Sequence, residues 1–150
     1  MKIKTTRFGE IEVEEHTLVS IPGGLIGFPD QERYVIIEHK PGSPFFWLQA
    51  VNRPDLAFVI ANPYAFKQDY EVKVSEAVLT DLGIAGQQDM ALYVIVTVPH
   101  GRPQDMTANL LGPLIINTKS RVVRQIILDD ERYSHQHPLI SPKSKTSKKD

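Results

Sequence analysis

Apolar positions along the chain come in short runs of Val, Ile, Leu, Phe and Tyr, separated by Gly, Pro, Asn and Asp. Runs of this kind closed by turn residues predict an all-β, mainly antiparallel fold: a small β-barrel-like domain. Strands are expected over 2–6, 10–15, 17–21, 33–39, 45–51, 56–61, 70–74, 90–98, 107–117 with a bend at Gly112-Pro113, and 121–128. The first two runs specify a hairpin. A three-residue turn Arg7-Phe8-Gly9, with Gly9 left-handed, sets Thr5 against Ile11 and Ile3 against Val13 on one face. Lys4 then meets Glu12 and Lys2 meets Glu14 on the other, so one face is apolar and one charged.

One segment has helical spacing. Ser75 caps it, Glu76 occupies its first turn, Val78, Leu79 and Leu82 share one side, and Gly83 ends it, which makes one short helix. The run Leu92 to Val98 is apolar on both faces and predicts a central strand covered by other elements.

Composition sharpens this picture. A chain of 150 residues with 41% hydrophobic and 23% charged residues supports one hydrophobic core. The domain is expected to cover residues 1–140. Residues 141–150 carry four lysines and no apolar anchor, and are expected to form a disordered Lys-rich tail. Without that tail the body has 17 − 4 = 13 basic and 18 − 1 = 17 acidic residues. A mildly acidic body argues against direct nucleic-acid binding, which depends on phosphate neutralisation by Lys and Arg. No cysteine is present, so thiolate chemistry and disulfides are excluded. The N-terminus lacks an apolar run after its lysines, and no stretch is long enough for a membrane-spanning helix. The expected location is cytoplasmic, with no membrane partner.

The chemical motifs are negative. Pro22-Gly23-Gly24-Leu25-Ile26-Gly27-Phe28-Pro29 lacks phosphate-loop spacing and reads as a tight turn. His135 and His137 form a His-x-His pair, but two ligands do not close a metal site. Ser43 sits in Pro41-Gly42-Ser43-Pro44, without a nucleophile elbow. Glu10, Glu12, Glu14 and Glu15 read as a solvated strand face. No cofactor, metal or catalytic set is expected. More unusual is the aromatic segment Phe45-Phe46-Trp47-Leu48, followed by Phe58, Tyr64, Phe66 and Tyr70. Alternation puts Phe45 and Trp47 on one face and Phe46 and Leu48 on the other; one set is core, and the other is either core or a surface that anchors protein partners.

The order of several blocks resembles the flagellar assembly factor FliW family of bacteria, over essentially residues 2 to 135. These blocks are Phe8-Gly9-Glu10-Ile11, Ile21-Pro22-Gly23-Gly24-Leu25-Ile26-Gly27-Phe28, Phe46-Trp47-Leu48-Gln49, Leu56 through Pro63, Val94 through Val98, and Met106 through Asn117. The resemblance implies a β-barrel-like cytoplasmic protein with two alternative protein partners. One is flagellin; the other is CsrA, the carbon storage regulator that represses translation of flagellin messenger. Flagellin would hold the protein until export depletes it, and the freed protein would then capture CsrA. Contact residues do not carry over, because the blocks are mostly turn and core types. The candidate protein-binding residues are Glu10, Glu14, Glu15, Phe28, Phe46, Trp47, Tyr64 and Tyr70, the three glutamates serving to repel RNA from bound CsrA. The rival reading is a small-molecule-binding β-barrel with inward aromatics lining a cavity.

Overall fold

The computed structural model describes residues 1–139; the expected Lys-rich tail lies outside the described residues. The chain runs through β1 (Lys2–Thr5), β2 (Gly9–Glu12), β3 (Leu18–Ser20), β4 (Arg33–Glu38), β5 (Phe45–Ala50), β6 (Ala57–Ala61), α1 (Glu76–Leu82), β7 (Met90–Thr97), β8 (Thr107–Ala108), β9 (Leu114–Asn117), β10 (Val123–Gln125) and β11 (His137–Pro138). The main sheet has the order β10-β9-β7-β6-β5-β4-β3, with β8 and β11 attached beside β7. All strand pairs are antiparallel. The sheet curls without closing. Its two ends approach through a parallel bridge between Ser20 and Val122, supported by the Ser20 amide donating to the Arg121 carbonyl at 3.0 Å.

Register places one set of side chains inside the curl. Val19, Tyr34 and Ala50 stand side by side, as do Ile36, Leu48 and Phe58, then Phe46, Ile60 and Ile95, and finally Ala91, Ile116 and Val123. These residues form or pack against one core cluster together with Ile21, Leu25 and Leu114. Each fully buried aliphatic side chain there contributes about 1.5–3 kcal/mol through removal from water.

The outer face is covered in patches. Ile3 and Val13 of the N-terminal hairpin pack on Val35, with Ile11, Leu18 and Ile37 around them. Tyr70, Leu110 and Tyr133 lie over Ala61, Val94 and Val96. Leu82 and Ile84, from α1 and the turn after it, cover Ile115.

The helix forms as its sequence specifies: the Ser75 hydroxyl accepts from the Val78 amide at 3.2 Å, and Gly83 ends it at φ +70°. Asn117 fixes that end, its Nδ2 donating to the Leu82 carbonyl at 2.8 Å. The hairpin keeps its predicted faces but slips by two residues, pairing Lys2 with Glu12, Ile3 with Ile11, Lys4 with Glu10 and Thr5 with Gly9. The cause is Thr5. Its hydroxyl accepts from the Phe8 amide and donates to the Gly9 carbonyl, both at 2.8 Å, which closes the loop around Thr6-Arg7-Phe8. Gly9 is left-handed, at φ +71°.

Residues 70–74 form no strand. Tyr70, Val72 and Val74 do alternate inward, but they pack across the outside of the sheet with no ladder partner. The expected 107–117 strand divides into β8 and β9 at the Gly112-Pro113 bend, and β11 pairs with β8 where no strand was expected.

The glycine-rich segment is a tight turn that seats Leu25 in the core. The Gly24 amide donates to the Ile21 carbonyl at 2.7 Å and the Phe28 amide to the Leu25 carbonyl at 2.8 Å. A Cβ on Gly24 would lie 2.2 Å from the Phe28 carbonyl oxygen, at a φ of +71°. On Gly23, at φ +78°, it would meet nothing within 4 Å. Gly24→Ala is therefore expected to destabilise the domain by about 2 kcal/mol or more and Gly23→Ala by about 1 kcal/mol. Urea unfolding checks this, as two graded decreases in midpoint at unchanged slope.

Candidate protein-binding surfaces

The candidate residues divide between two surfaces and the core. Glu10, Glu14 and Glu15 are exposed on the stem of the N-terminal hairpin and the short 3₁₀ turn after it. Glu14 contacts His16 Nδ1 at 3.0 Å, and neighbouring Glu12 meets the N-terminal ammonium at 2.7 Å. Lys2 and Lys4 stand opposite Glu12 and Glu10 on the same face, so the charge pattern is mixed along β1 and β2 and becomes purely acidic at Glu14-Glu15.

The aromatic residues separate by strand parity. Phe46 points inward and meets Tyr93 edge-on at 5.5 Å, and Phe28 packs edge-on against Phe58 at 5.2 Å. Both are fold residues. Tyr70 is also core, only 3% exposed, with its hydroxyl donating to the Leu110 carbonyl at 2.5 Å and its ring 4.9 Å from Tyr133. That burial removes it from any contact surface in this conformation. Tyr64 is exposed and follows Asn62, whose side chain accepts from its amide at 3.0 Å.

Trp47 is different. It lies half-buried on the outer face, where its row across the sheet continues to Val59 and Val96. The Arg7 guanidinium stacks 4.2 Å from the centre of its ring; Phe8 and His39 meet it edge-on at 5.8 and 6.2 Å. This row floors an open groove of about 810 Å³, bounded by Arg7 and His39 on one side and by Val98, His100, Pro103 and Met106 on the other. No Asp or Glu lines it.

Arg7, His39, Val59 and Val98 are the functional candidates missed in the sequence. Only the Trp47 side of the aromatic segment was legible; Arg7 comes over it through tertiary docking, where the Thr6 amide donates to the Pro54 carbonyl at 2.9 Å. Gln49 sits beneath this junction, fully buried, its Nε2 donating to the Ala50 and Leu56 carbonyls, both at 3.1 Å.

Among the described residues no group of three His, Asp or Glu side chains is arranged to hold a metal. The ion-pair cluster of Arg132 with Asp130 at 2.8 Å and Glu71 at 2.9 Å lies at the surface. Among the described residues no helix is long and apolar enough to cross a membrane.

A curled β-sheet with a buried core inside, and a charged hairpin and an apolar groove outside, defines a small antiparallel β-protein whose candidate surfaces lie on the outer face of the sheet. The chain belongs to the FliW family, whose model, FliW protein, matches residues 2–139. It is 43% identical over 141 residues to the flagellar assembly factor FliW of Alkaliphilus metalliredigens, covering 93% of this chain and 86% of that protein. The Magnetococcus marinus flagellar assembly factor FliW is 38% identical over 140 residues, covering 93% and 85%. A crystal structure of the flagellar assembly factor FliW superposes with a TM-score of 0.86 at 38% identity, covering 95% of this chain and 99% of that one. The family is thus the one its sequence resembles, and the fold is the one expected.

The tyrosines give the stability of the fold a pH dependence. The phenols of Tyr34, Tyr70 and Tyr93 are pushed above the ordinary value of 10.0, chiefly by burial, and that of Tyr64 is raised by burial and then by Tyr133. A raised folded-state pKa contributes stability that is complete below the unfolded value, near 10, and is lost as pH rises beyond it. The urea midpoint is expected to hold from pH 8 to about 9.5 and then fall. Tyr70→Phe lowers the midpoint at neutral pH, because the Leu110 carbonyl loses its donor, but makes the alkaline fall shallower. An equally steep fall in Tyr70→Phe removes Tyr70 from the effect.

Proposed function

We propose that the chain is a cytoplasmic partner-switching factor of flagellar assembly, acting by binding alone. In this reading it holds flagellin while flagellin is abundant. When export depletes flagellin, the freed protein binds CsrA and lifts its repression of flagellin translation, without contacting RNA or membrane itself. The observation that carries the reading is family membership over residues 2–139, nearly the whole described domain. The exposed carboxylates of Glu10, Glu14 and Glu15 add physical support, since like charge beside an RNA-binding partner repels phosphate within a Debye length of about 10 Å at 0.1 M salt.

The rival reading as a small-molecule barrel loses its main support, because the inward side chains Tyr34, Leu48, Ile60 and Leu114 fill the curl and the large groove lies outside it.

The test mixes the purified protein with its organism's flagellin and CsrA, separately and together, on a sizing column. Co-elution with each, and competition between them, is the expected result; failure of both to co-elute overturns the proposal. For the electrostatic step, the triple variant Glu10→Gln, Glu14→Gln, Glu15→Gln is expected to need about 3- to 10-fold more protein to displace CsrA from RNA at low salt. The difference should shrink at high salt. Unchanged displacement in a competition gel-shift removes the carboxylates from the mechanism.

A further inference from the structure

The outer face of the sheet is covered by the N-terminal hairpin over Val35, by the Tyr70–Tyr133 cluster over Val94, and by α1 over Ile115. Between the first two covers it is open at Trp47 and Val59, both half-buried, and at Val98, which is 44% exposed, while Val96 in the same row is itself buried under the edge of the Tyr70–Tyr133 cluster. Adjacent strands lie about 4.8 Å apart, so a row across three strands is about 10 Å long. That matches about two turns of an α-helix laid along it, at about 5.4 Å per turn.

Three features fix the chemistry of what fits. The floor is a sheet face and not an open sheet edge, so it offers side-chain contacts and no free ladder for an added strand. The polar groups of the lining stand at the rim, where His39 and His100 flank an open trough, an arrangement poor at enclosing and orienting a small molecule. The charge is one-sided. In a body with more acids than bases, this groove has no carboxylate in its lining and carries Arg7 at its edge. The Arg7 guanidinium is stacked on Trp47 and has no carboxylate partner among the described residues. A stacked guanidinium keeps its edge N–H groups free to take a carboxylate in a bidentate pair.

The geometry points to a docking site for an amphipathic helix of another protein, its apolar stripe laid along Trp47, Val59 and Val98 and an acidic residue on its flank paired with Arg7. The site holds whichever protein supplies the helix, and it is distinct from the acidic stem that carries Glu14 and Glu15. Charge complementarity selects among apolar helices: an acidic flank is held at Arg7, and a basic flank meets Arg7 and the two rim histidines without a counter-charge.

Trp47 is the single tryptophan of the chain, so its fluorescence reports this groove alone. The probes are two tryptophan-free helical peptides of 18 residues with the same Leu/Ala stripe, one flanked by Glu and one by Lys, titrated into the full chain. A saturable blue shift with the Glu peptide, at least about tenfold weaker for the Lys peptide, is expected. Arg7→Glu is expected to reverse that preference, and Val98→Asp to weaken the Glu peptide while leaving the urea midpoint unchanged. Equal shifts with both peptides, or no saturable shift with either, overturn the proposal. So does a blue shift on concentrating the protein alone with growth of a dimer on a sizing column, which makes a second copy the occupant. Saturation by octanoate with no response to either peptide makes the groove a small-amphiphile site and overturns it as well.

Discussion

The register of four antiparallel strands, β4 to β7, is the constraint on which the rest depends. Side chains alternate between faces with a period of two, so a slip of one residue would exchange Leu48 for Trp47 inside the curl. The inside rows Ile36-Leu48-Phe58 and Phe46-Ile60-Ile95 are apolar throughout, whereas the outside row below them places Gln49 beside Val35 and Ala57. Putting Gln49 in the interior would strip its amide of the carbonyls of Ala50 and Leu56, a cost of several kcal/mol. Register is therefore fixed from both sides of the sheet.

The same constraint shapes the outer surface. A sheet face with apolar rows at Val35, Trp47, Val94 and Ile115 needs cover, and a chain of this length supplies it in separate pieces. The hairpin anchors through Ile3 and Val13, α1 through Leu82, and the 62–72 segment through Tyr70. Polar side chains secure each piece at its ends: Thr5 closes the hairpin loop, Asn117 holds the α1 C-terminus, and Tyr70 donates to Leu110. Trp47 remains where two covers fail to meet, which is a consequence of where the loops land and not of its own strand.

What could be read from the sequence follows from this division. Alternation and turn chemistry are local, so the strands around 33–38, 45–50 and 57–61, the cap at Ser75, the stop at Gly83 and the left-handed Gly9 were all legible. Alternation at Tyr70, Val72 and Val74 was equally clear but misled, because burial produces the pattern and a ladder partner is what makes a strand. The hairpin slip turned on a single hydroxyl, that of Thr5. Among the site candidates, Trp47 was visible as one of a pair of aromatic faces, whereas Phe28, Phe46 and Tyr70 went to the core. Arg7 was invisible: nothing local links position 7 to position 47, and only packing of the hairpin on Val35 brings them together.

The two outer surfaces are joined by that hairpin. Arg7 stands at its tip and Glu10 three residues on, at most about 11 Å along an extended backbone. That separation is close to the Debye length at physiological salt, about 8 Å, so whatever binds in the groove feels part of the acidic stem. An acidic-flanked helix is drawn to Arg7 and pushed from Glu10, which sets its flank toward the Trp47 side of the tip and away from the stem. The hairpin thus sets a cation at its tip close to carboxylates on its stem, and both positions follow from the docking of its apolar face on Val35.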